Sequence, residues 1–157
     1  MCFRAVLLMV DILIVEDDLH KFEELEGFVL GRFAGAWVEK AVSVSSAIRA
    51  IDVRRFDLIL LDMALPSHTL KPGNGPPSSL LSGGLEIIHE FDFSNRNEPI
   101  VILTQHPEIE IDSELIPLGA VTDKINELFS VNLLGCIFYE MGSDAWRNKL
   151  EGLVAEI

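Results

Sequence analysis

The chain has 157 residues, of which 49% are hydrophobic and 24% are charged, and its formal net charge is −13. This length suits a single domain with one core, because domains commonly hold about 100–200 residues. We therefore expect one domain over residues 1–157, with no room for a separate DNA-binding domain. The acidic balance also argues against nucleic-acid binding, because phosphate backbones repel an acidic surface.

Two further features concern the location of the protein. Cys2 and Cys136 are the only cysteines, which is too few for a disulfide framework. The apolar stretch from Ala5 to Val15 is too short to span a bilayer and lacks a small-residue cleavage site. We expect a cytoplasmic protein without a membrane partner.

Apolar runs alternate with amphipathic stretches along the first half of the chain. The first strand is predicted from about Leu8 to Val15, and Asp18 is predicted to cap the helix that follows. A short second strand covers 37–41, a helix starts at Ser43 or Ser45, and the third strand runs from 56 to Asp62. The apolar side chains expected to face the core in this half are Leu19, Phe22, Leu25, Val29, Phe33, Trp37, Ala47, Ile48 and Ile51.

The pattern breaks down between Ala64 and Gly84, where prolines and glycines recur. This insertion, at about 64–84, is longer than most connections in α/β domains. It directly follows the third strand, so one interpretation is a lid over a site at the strand end. The other is a surface loop that costs little stability. Helical spacing resumes at Leu85.

The second half of the chain continues the alternation. A fourth strand is predicted over 99–104, a polar connection over 105–114, a helix that Pro117 opens, a fifth strand over 133–139 and a final helix that Ser143 or Asp144 caps. The expected core positions are Leu118, Val121, Ile125, Leu128, Trp146, Leu150, Leu153, Val154 and Ile157. The fold class is therefore α/β, a doubly wound five-stranded parallel sheet with helices on both faces.

Acidic residues follow two of these predicted strands. Glu16, Asp17 and Asp18 follow the first strand, and Asp62 ends the third. The carboxyl ends of parallel strands share the edge where open α/β sheets bind ligands. Clustered carboxylates repel one another, and a hard cation with oxygen ligands relieves that repulsion. The pattern predicts a site for a divalent cation and a phosphoryl group.

Three ordered segments, 9–18, 57–66 and 99–104, strongly resemble the receiver domain of bacterial two-component response regulators. The resemblance covers about residues 9–104 and becomes loose afterwards. It implies the flavodoxin-like receiver fold, here as an atypical single-domain response regulator. It also implies a sensor histidine kinase or a histidine phosphotransfer protein as phosphodonor, a downstream protein effector, and no enzymatic activity beyond phosphorylation and dephosphorylation of its own aspartate.

The resemblance also assigns roles to individual residues. Receivers hold magnesium with an acidic pair and with the aspartate that accepts the phosphoryl group. Glu16 and Asp17 match the pair, and Asp62 matches the phosphoacceptor. The backbone carbonyl of Ala64 would complete the magnesium shell, and Thr104 matches the hydroxyl residue that contacts the phosphoryl group and carries the switch.

One part of the receiver pattern is missing. Receivers place a lysine after the fifth strand, whereas this chain has Glu140 near that position. A carboxylate there would repel a phosphoryl group. Lys124 follows a faintly similar segment, but the helical pattern around it predicts a solvent-facing helix residue.

Three hypotheses follow from these observations. The first is a phosphorelay protein that accepts a phosphoryl group on Asp62. The second is a degenerate receiver that acts as a phosphorylation-independent interaction module. The third, a metal-dependent hydrolase, is disfavoured because Ala64 stands where such enzymes need an acidic residue.

Overall fold

The computed structural model describes residues 9–68, 79–80 and 83–157. Its elements in chain order are β1 (Asp11–Val15), α1 (Leu19–Arg32), β2 (Trp37–Ala41), α2 (Val44–Val53), β3 (Leu58–Leu61), β4 (Leu65–Pro66), β5 (Ser79–Leu80), α3 (Gly83–Phe93), β6 (Pro99–Thr104), β7 (Glu108–Ile111), β8 (Glu114–Pro117), α4 (Leu118–Leu128), β9 (Asn132–Phe138) and α5 (Ala145–Leu153). Among the helices of these described residues, none is long and apolar enough to cross a membrane.

The main sheet has the order β2-β1-β3-β6-β9, and all neighbouring strands in it are parallel. Val15 in β1 is level with Leu61 in β3, and Leu61 is level with Ile102 in β6. The residues that follow these three strands therefore emerge at one edge of the sheet. The predicted doubly wound five-stranded parallel sheet is confirmed.

Helices cover both faces of this sheet. Apolar side chains of α1 and α5 pack on one face with Ile12 and Ile14 of β1. Those of α2, α3 and α4 pack on the other face with Leu13 and Val15. Because successive strand residues point to opposite faces and both faces are covered, central strands must be apolar at every position. This explains the continuous apolar runs of the sequence.

Three predicted core positions are wrong. Trp37 is 50% exposed, Leu19 is 59% exposed, and Leu128, the last residue of α4, is 41% exposed. Trp37 lies in β2, which is at the edge of the sheet, and Leu19 is the first residue of α1, so neither position is covered as a central one would be. Trp146, in contrast, is buried as predicted.

The predicted polar connection over 105–114 is also wrong, because most of it belongs to a hairpin. Strands β7 and β8 pair in antiparallel fashion. Asp112 and Ser113 have φ values of 51° and 65° at the turn between them, as two-residue turns that match the strand twist require. Ile109 and Ile111 are buried in the core, while Glu108 and Glu110, which alternate with them, face solvent.

Only the ends of the predicted insertion at 64–84 are described. Strands β4 and β5 pair in antiparallel fashion across it, and α3 begins at Gly83, two residues before the predicted resumption of helix. The possible lid or surface loop between them, residues 69–78 and 81–82, lies outside the described residues, as does the predicted start of the first strand at Leu8.

Gly84 packs closely against the segment that follows β3. A Cβ atom at this position would lie 2.7 Å from the carbonyl oxygen of Asp62 and 2.7 Å from the sulfur of Met63. The backbone N–H of Gly84 also donates to the carbonyl oxygen of Met63, at 2.9 Å. The glycine therefore lets α3 approach the strand end that presents Asp62.

We predict that Gly84→Ala lowers the free energy of unfolding by about 1–3 kcal/mol, because the added methyl group must displace backbone atoms. Gly27→Ala is the matched control. It lies inside α1 with no atom within 4 Å of the new methyl group, so it should be neutral or stabilising by up to about 1 kcal/mol. Urea denaturation measures the stability of both variants, and equal unfolding midpoints of Gly84→Ala and Gly27→Ala would contradict the packing argument.

Candidate functional site

Three carboxylates meet at the carboxyl edge of the sheet. Glu16 and Asp17 follow β1, and Asp62 follows β3, with the Asp62 backbone N–H donating to the carbonyl oxygen of Val15 at 3.0 Å. One oxygen from each carboxylate lies within 4.8 Å of the others. Glu16 and Asp62 are buried, at 1% and 8% exposure, whereas Asp17 is exposed. The structure thus brings together the three predicted acidic residues and leaves one side of the cluster open.

A buried lysine, which sequence reasoning missed, lies within this cluster. Lys21 of α1 is 2% exposed. Its Nζ lies 2.6 Å from Oε2 of Glu16 and 3.3 Å from Oδ1 of Asp62. Nζ also donates a hydrogen bond to the carbonyl oxygen of Leu103 at 2.7 Å. The ammonium group therefore bridges the ends of β1, β3 and β6.

The start of α1 fixes where this lysine points. Asp18 caps the helix as predicted, with Oδ1 accepting from the backbone N–H of Lys21 at 2.8 Å. The N–H of Phe22 donates to the carbonyl oxygen of Asp18 at 2.9 Å. Lys21 and Phe22 are both buried, so the first turn of α1 directs both toward the sheet. The sequence signal for Lys21 was its place beside Phe22 on the inward side of the helix.

Burial dominates the electrostatics of the two inner carboxylates. It raises the pKa of Glu16 to about 7, with the Lys21 ammonium opposing this rise and the Asp62 carboxylate adding to it. Burial also raises the pKa of Asp62, against the opposing effects of Lys21 and of a backbone hydrogen bond from Ala64. Among the described residues, the three carboxylates of the cluster share one ammonium. The site is therefore short of positive charge.

The donor set fits a hard divalent cation such as Mg²⁺. Carboxylate oxygens are the ligands that such cations prefer. Apart from its ion pair with Lys21, Oε2 of Glu16 has no hydrogen-bond partner in the part of the chain that is described. Asp17 at the open side supplies a carboxylate that solvent can reach. The described residues contain no second cluster of three His, Cys, Asp or Glu side chains with this spacing.

Thr104 and Ala64 both lie beside the cluster. Thr104 ends β6, the strand next to β3, and is fully buried. Its hydroxyl oxygen accepts from the backbone N–H of His106 at 3.1 Å, which leaves the hydroxyl hydrogen to donate elsewhere. Ala64 forms a backbone hydrogen bond with the Asp62 carboxylate. Ala64 therefore lies beside the Asp62 carboxylate, and Thr104 lies at the end of the strand next to β3. Their roles toward Mg²⁺ and a phosphoryl group stay predictions.

Tyr139, not Glu140, is the residue after β9 that lies against the site. Tyr139 is 1% exposed, and the centre of its ring is 5.4 Å from Nζ of Lys21. Its hydroxyl donates to Oε2 of Glu24 at 2.6 Å. Glu140 is exposed, so its carboxylate is not packed into the cluster. Lys124 is half-buried on α4, a helix residue as predicted.

Comparisons with known proteins support the fold and the family. The chain is similar to the Detocs response regulatory protein DtcB of Vibrio alginolyticus, with 38% identity over 143 residues that cover 88% of this chain and 95% of the relative. It is 24% identical to the protein of the same name from Enterobacter cloacae, over 93% of this chain and 99% of that one. No family model matches the chain.

Solved structures agree on the fold. The response regulator TrrA of Thermotoga maritima, solved in complex with Mg²⁺ and BeF, superposes with a TM-score of 0.58 at 19% identity, over 93% of this chain and all of that one. The phosphorylated cyanobacterial phytochrome response regulator RcpA gives 0.61 at 18% identity, over 92% and 91%. At these identities the likeness shows the fold alone.

The sheet order and the covering helices are those of the flavodoxin-like receiver fold. Together with the similarity to a response regulatory protein, they define a receiver domain of the response-regulator class, as the resemblance predicted. Receiver domains are generally signalling proteins without enzymatic activity. The chain belongs to the family of the Detocs response regulatory protein DtcB.

We predict that Lys21→Met lowers the free energy of unfolding by about 3–5 kcal/mol at pH 8, because it leaves two buried carboxylates without their cation. Lys149→Met removes the same charge from an exposed position on α5 and should change stability by less than about 0.5 kcal/mol. Urea denaturation without magnesium compares the two, and similar losses would contradict the assigned ion pairs.

Proposed function

We propose that the protein is a phosphoacceptor of a two-component or phosphorelay system that takes a phosphoryl group on Asp62. The observation that carries this proposal is the cluster of Glu16, Asp17 and Asp62 oxygens within 4.8 Å of one another at the carboxyl edge of the sheet. The family name, a response regulatory protein, and the receiver fold support it.

The site chemistry suits phosphoryl transfer to a carboxylate. A carboxylate is a weak nucleophile toward an anionic phosphoryl group, so charge must be neutralised and the reacting atoms aligned. Glu16, Asp17, Asp62 and the carbonyl oxygen of Ala64 would hold Mg²⁺, which supplies that neutralisation when it is bound. The hydroxyl of Thr104 would donate a hydrogen bond to a phosphoryl oxygen and pass the change to the segment after β6.

The partners follow from the same proposal. The phosphodonor is a sensor histidine kinase or a histidine phosphotransfer protein, and the output is a contact with a downstream protein effector. Residues 1–157 act as one receiver-like domain in the cytoplasm, with the insertion at about 64–84 beside the phosphoacceptor. The acidic net charge disfavours nucleic acid as a partner.

A second candidate function is a phosphorylation-independent interaction module. The observation that favours it is the ammonium group of Lys21, which already contacts the carboxylates of Glu16 and Asp62. This ammonium partly compensates the charge of the carboxylates and makes the site less dependent on a bound cation. In this case Asp62 would keep a structural role and receive no phosphoryl group.

Labelling with acetyl phosphate separates the two functions. Incubation of the protein with Mg²⁺ and acetyl phosphate should add one phosphoryl group by intact mass, and Asp62→Asn should abolish the added mass. Asp123→Asn, an exposed acid on α4, makes the same change of charge and should label like the wild type. An unlabelled wild type would favour the interaction module, and labelling of Asp62→Asn would place the acceptor elsewhere.

Magnesium binding provides a second prediction. Asp17→Asn should weaken Mg²⁺ binding about tenfold or more, because one anionic ligand of the cluster is lost. Its exposure means that stability should hardly change. Asp18→Asn is the matched control, since asparagine caps helices as well as aspartate does and the Asp18 side chain accepts from the helix. Asp18 contacts Glu16 only through its backbone N–H, which the substitution keeps. Calorimetric titration with Mg²⁺ measures both, and equal affinities of the two variants would contradict the assigned ligands.

A further inference from the structure

We propose that Lys21 supplies, from α1, the ammonium group that contacts the phosphoryl group on Asp62. This inference rests on the proposed function and assigns to the same site a residue that balances the charge of the phosphoryl group by direct contact. It concerns a residue on the first helix, whereas the receiver pattern places the corresponding lysine after the last strand of the sheet.

The first argument is the position of Nζ. It lies 3.3 Å from the Asp62 carboxylate and 2.7 Å from the carbonyl oxygen of Leu103. Leu103 precedes Thr104, so the ammonium joins the phosphoacceptor after β3 to the backbone directly before the hydroxyl residue of β6. A phosphoryl group on Asp62 that also receives the hydroxyl of Thr104 would have Nζ within reach of its oxygens.

The second argument is that nothing else described supplies this charge. In the described ranges, the ion pairs of Glu16 and Asp62 both go to Lys21. The segment after β9 offers the exposed Glu140 and the buried aromatic ring of Tyr139. A phosphorylated Asp62 beside two other carboxylates needs a cation for the charge that the phosphoryl group brings.

The third argument is that the lysine is fixed in place. Lys21 is 2% exposed, its backbone N–H is held by the cap residue Asp18, and the ring of Tyr139 lies 5.4 Å from Nζ. A cation facing an aromatic ring at this distance is attracted by it. Tyr139 is itself held by its hydrogen bond to Glu24. A cation fixed before the reaction stabilises developing charge without reorganising.

The chemical step is the transfer of a phosphoryl group from acetyl phosphate to Asp62. An oxygen of the Asp62 carboxylate forms a bond to phosphorus, the bond from phosphorus to the acetyl oxygen breaks, and acetate leaves with the electron pair. Lys21 keeps its protons throughout. An N–H group that points at the Asp62 carboxylate now donates its hydrogen bond to an oxygen of the phosphoryl group, where negative charge accumulates.

This role has a signature that a purely structural lysine lacks. The ammonium contacts two of the three carboxylates that would hold Mg²⁺, so removing it frees those ligands for the metal. Lys21→Met should therefore bind Mg²⁺ as tightly as the wild type or more tightly, while it accepts the phosphoryl group at least about tenfold more slowly. A structural defect would lower both the Mg²⁺ affinity and the rate of phosphoryl acceptance.

The test measures Mg²⁺ affinity by calorimetry and the rate of labelling by acetyl phosphate at saturating Mg²⁺, which also stabilises the folded variants. Circular dichroism verifies folding. If Lys21→Met is unfolded under these conditions, Lys21→Gln takes its place, because its amide can still donate to the carbonyl oxygen of Leu103.

A lysine introduced at a second position tests whether the ammonium acts by local contact with the phosphoryl group. Tyr139→Lys in the Lys21→Met background places an ammonium after β9, against the same site, and should restore at least part of the labelling rate. Glu140→Lys in that background adds an ammonium one residue away at an exposed position and should not restore it. Rescue by both or by neither would contradict a local contact with the phosphoryl group.

The outcomes also distinguish this inference from the proposed function. A labelled wild type with an equally labelled Lys21→Met overturns the role of Lys21 and leaves Asp62 as phosphoacceptor. A parallel loss of labelling and Mg²⁺ affinity in the folded variant also overturns it, because the role is then structural. An unlabelled wild type overturns the proposed function and this inference with it.

Discussion

The burial of carboxylates at the end of a parallel sheet is the constraint on which the site depends. Glu16 and Asp62 are removed from solvent by the strands that present them, and removing charged groups from water is costly unless they are paired. Lys21 provides that pairing from α1. Since the described cluster still holds more carboxylates than ammonium groups, it retains an attraction for cations. The same charges therefore affect both the stability of the fold and the binding of a cation.

The sheet makes this arrangement geometrically necessary. The register aligns the last residues of β1 and β3 with Ile102, two residues before the end of β6, so the side chains that follow these strands share one edge. Gly84 allows α3 to pack against the backbone directly after β3, and the hydrogen bond from Gly84 to Met63 holds that backbone. The packing of α3 therefore helps to set the position of Asp62. The core and the site are built from the same strand ends.

The sequence predicted the features that depend on regular repetition. Continuous apolar runs predicted the buried strands, and carboxylates at two strand ends predicted the cluster. The hairpin β7–β8 is not predicted, although Glu108 to Ile111 alternates polar and apolar residues at the strand period, because its glutamates are equally typical of a polar connection. Trp37 was placed in the core because composition alone does not reveal that β2 is an edge strand.

Lys21 was missed for a different reason. Lysine is almost never fully buried unless it is paired, so a lysine at the start of an amphipathic helix is normally taken as solvated. Its place on the inward side of α1 gives only a weak signal. The carboxylates that stabilise its burial, Glu16 and Asp62, follow different strands and meet through the fold. The position after the last strand, where the receiver pattern has its lysine, holds Glu140. In the described residues, the ammonium that reaches Asp62 comes instead from the first helix, about 120 residues earlier in the chain.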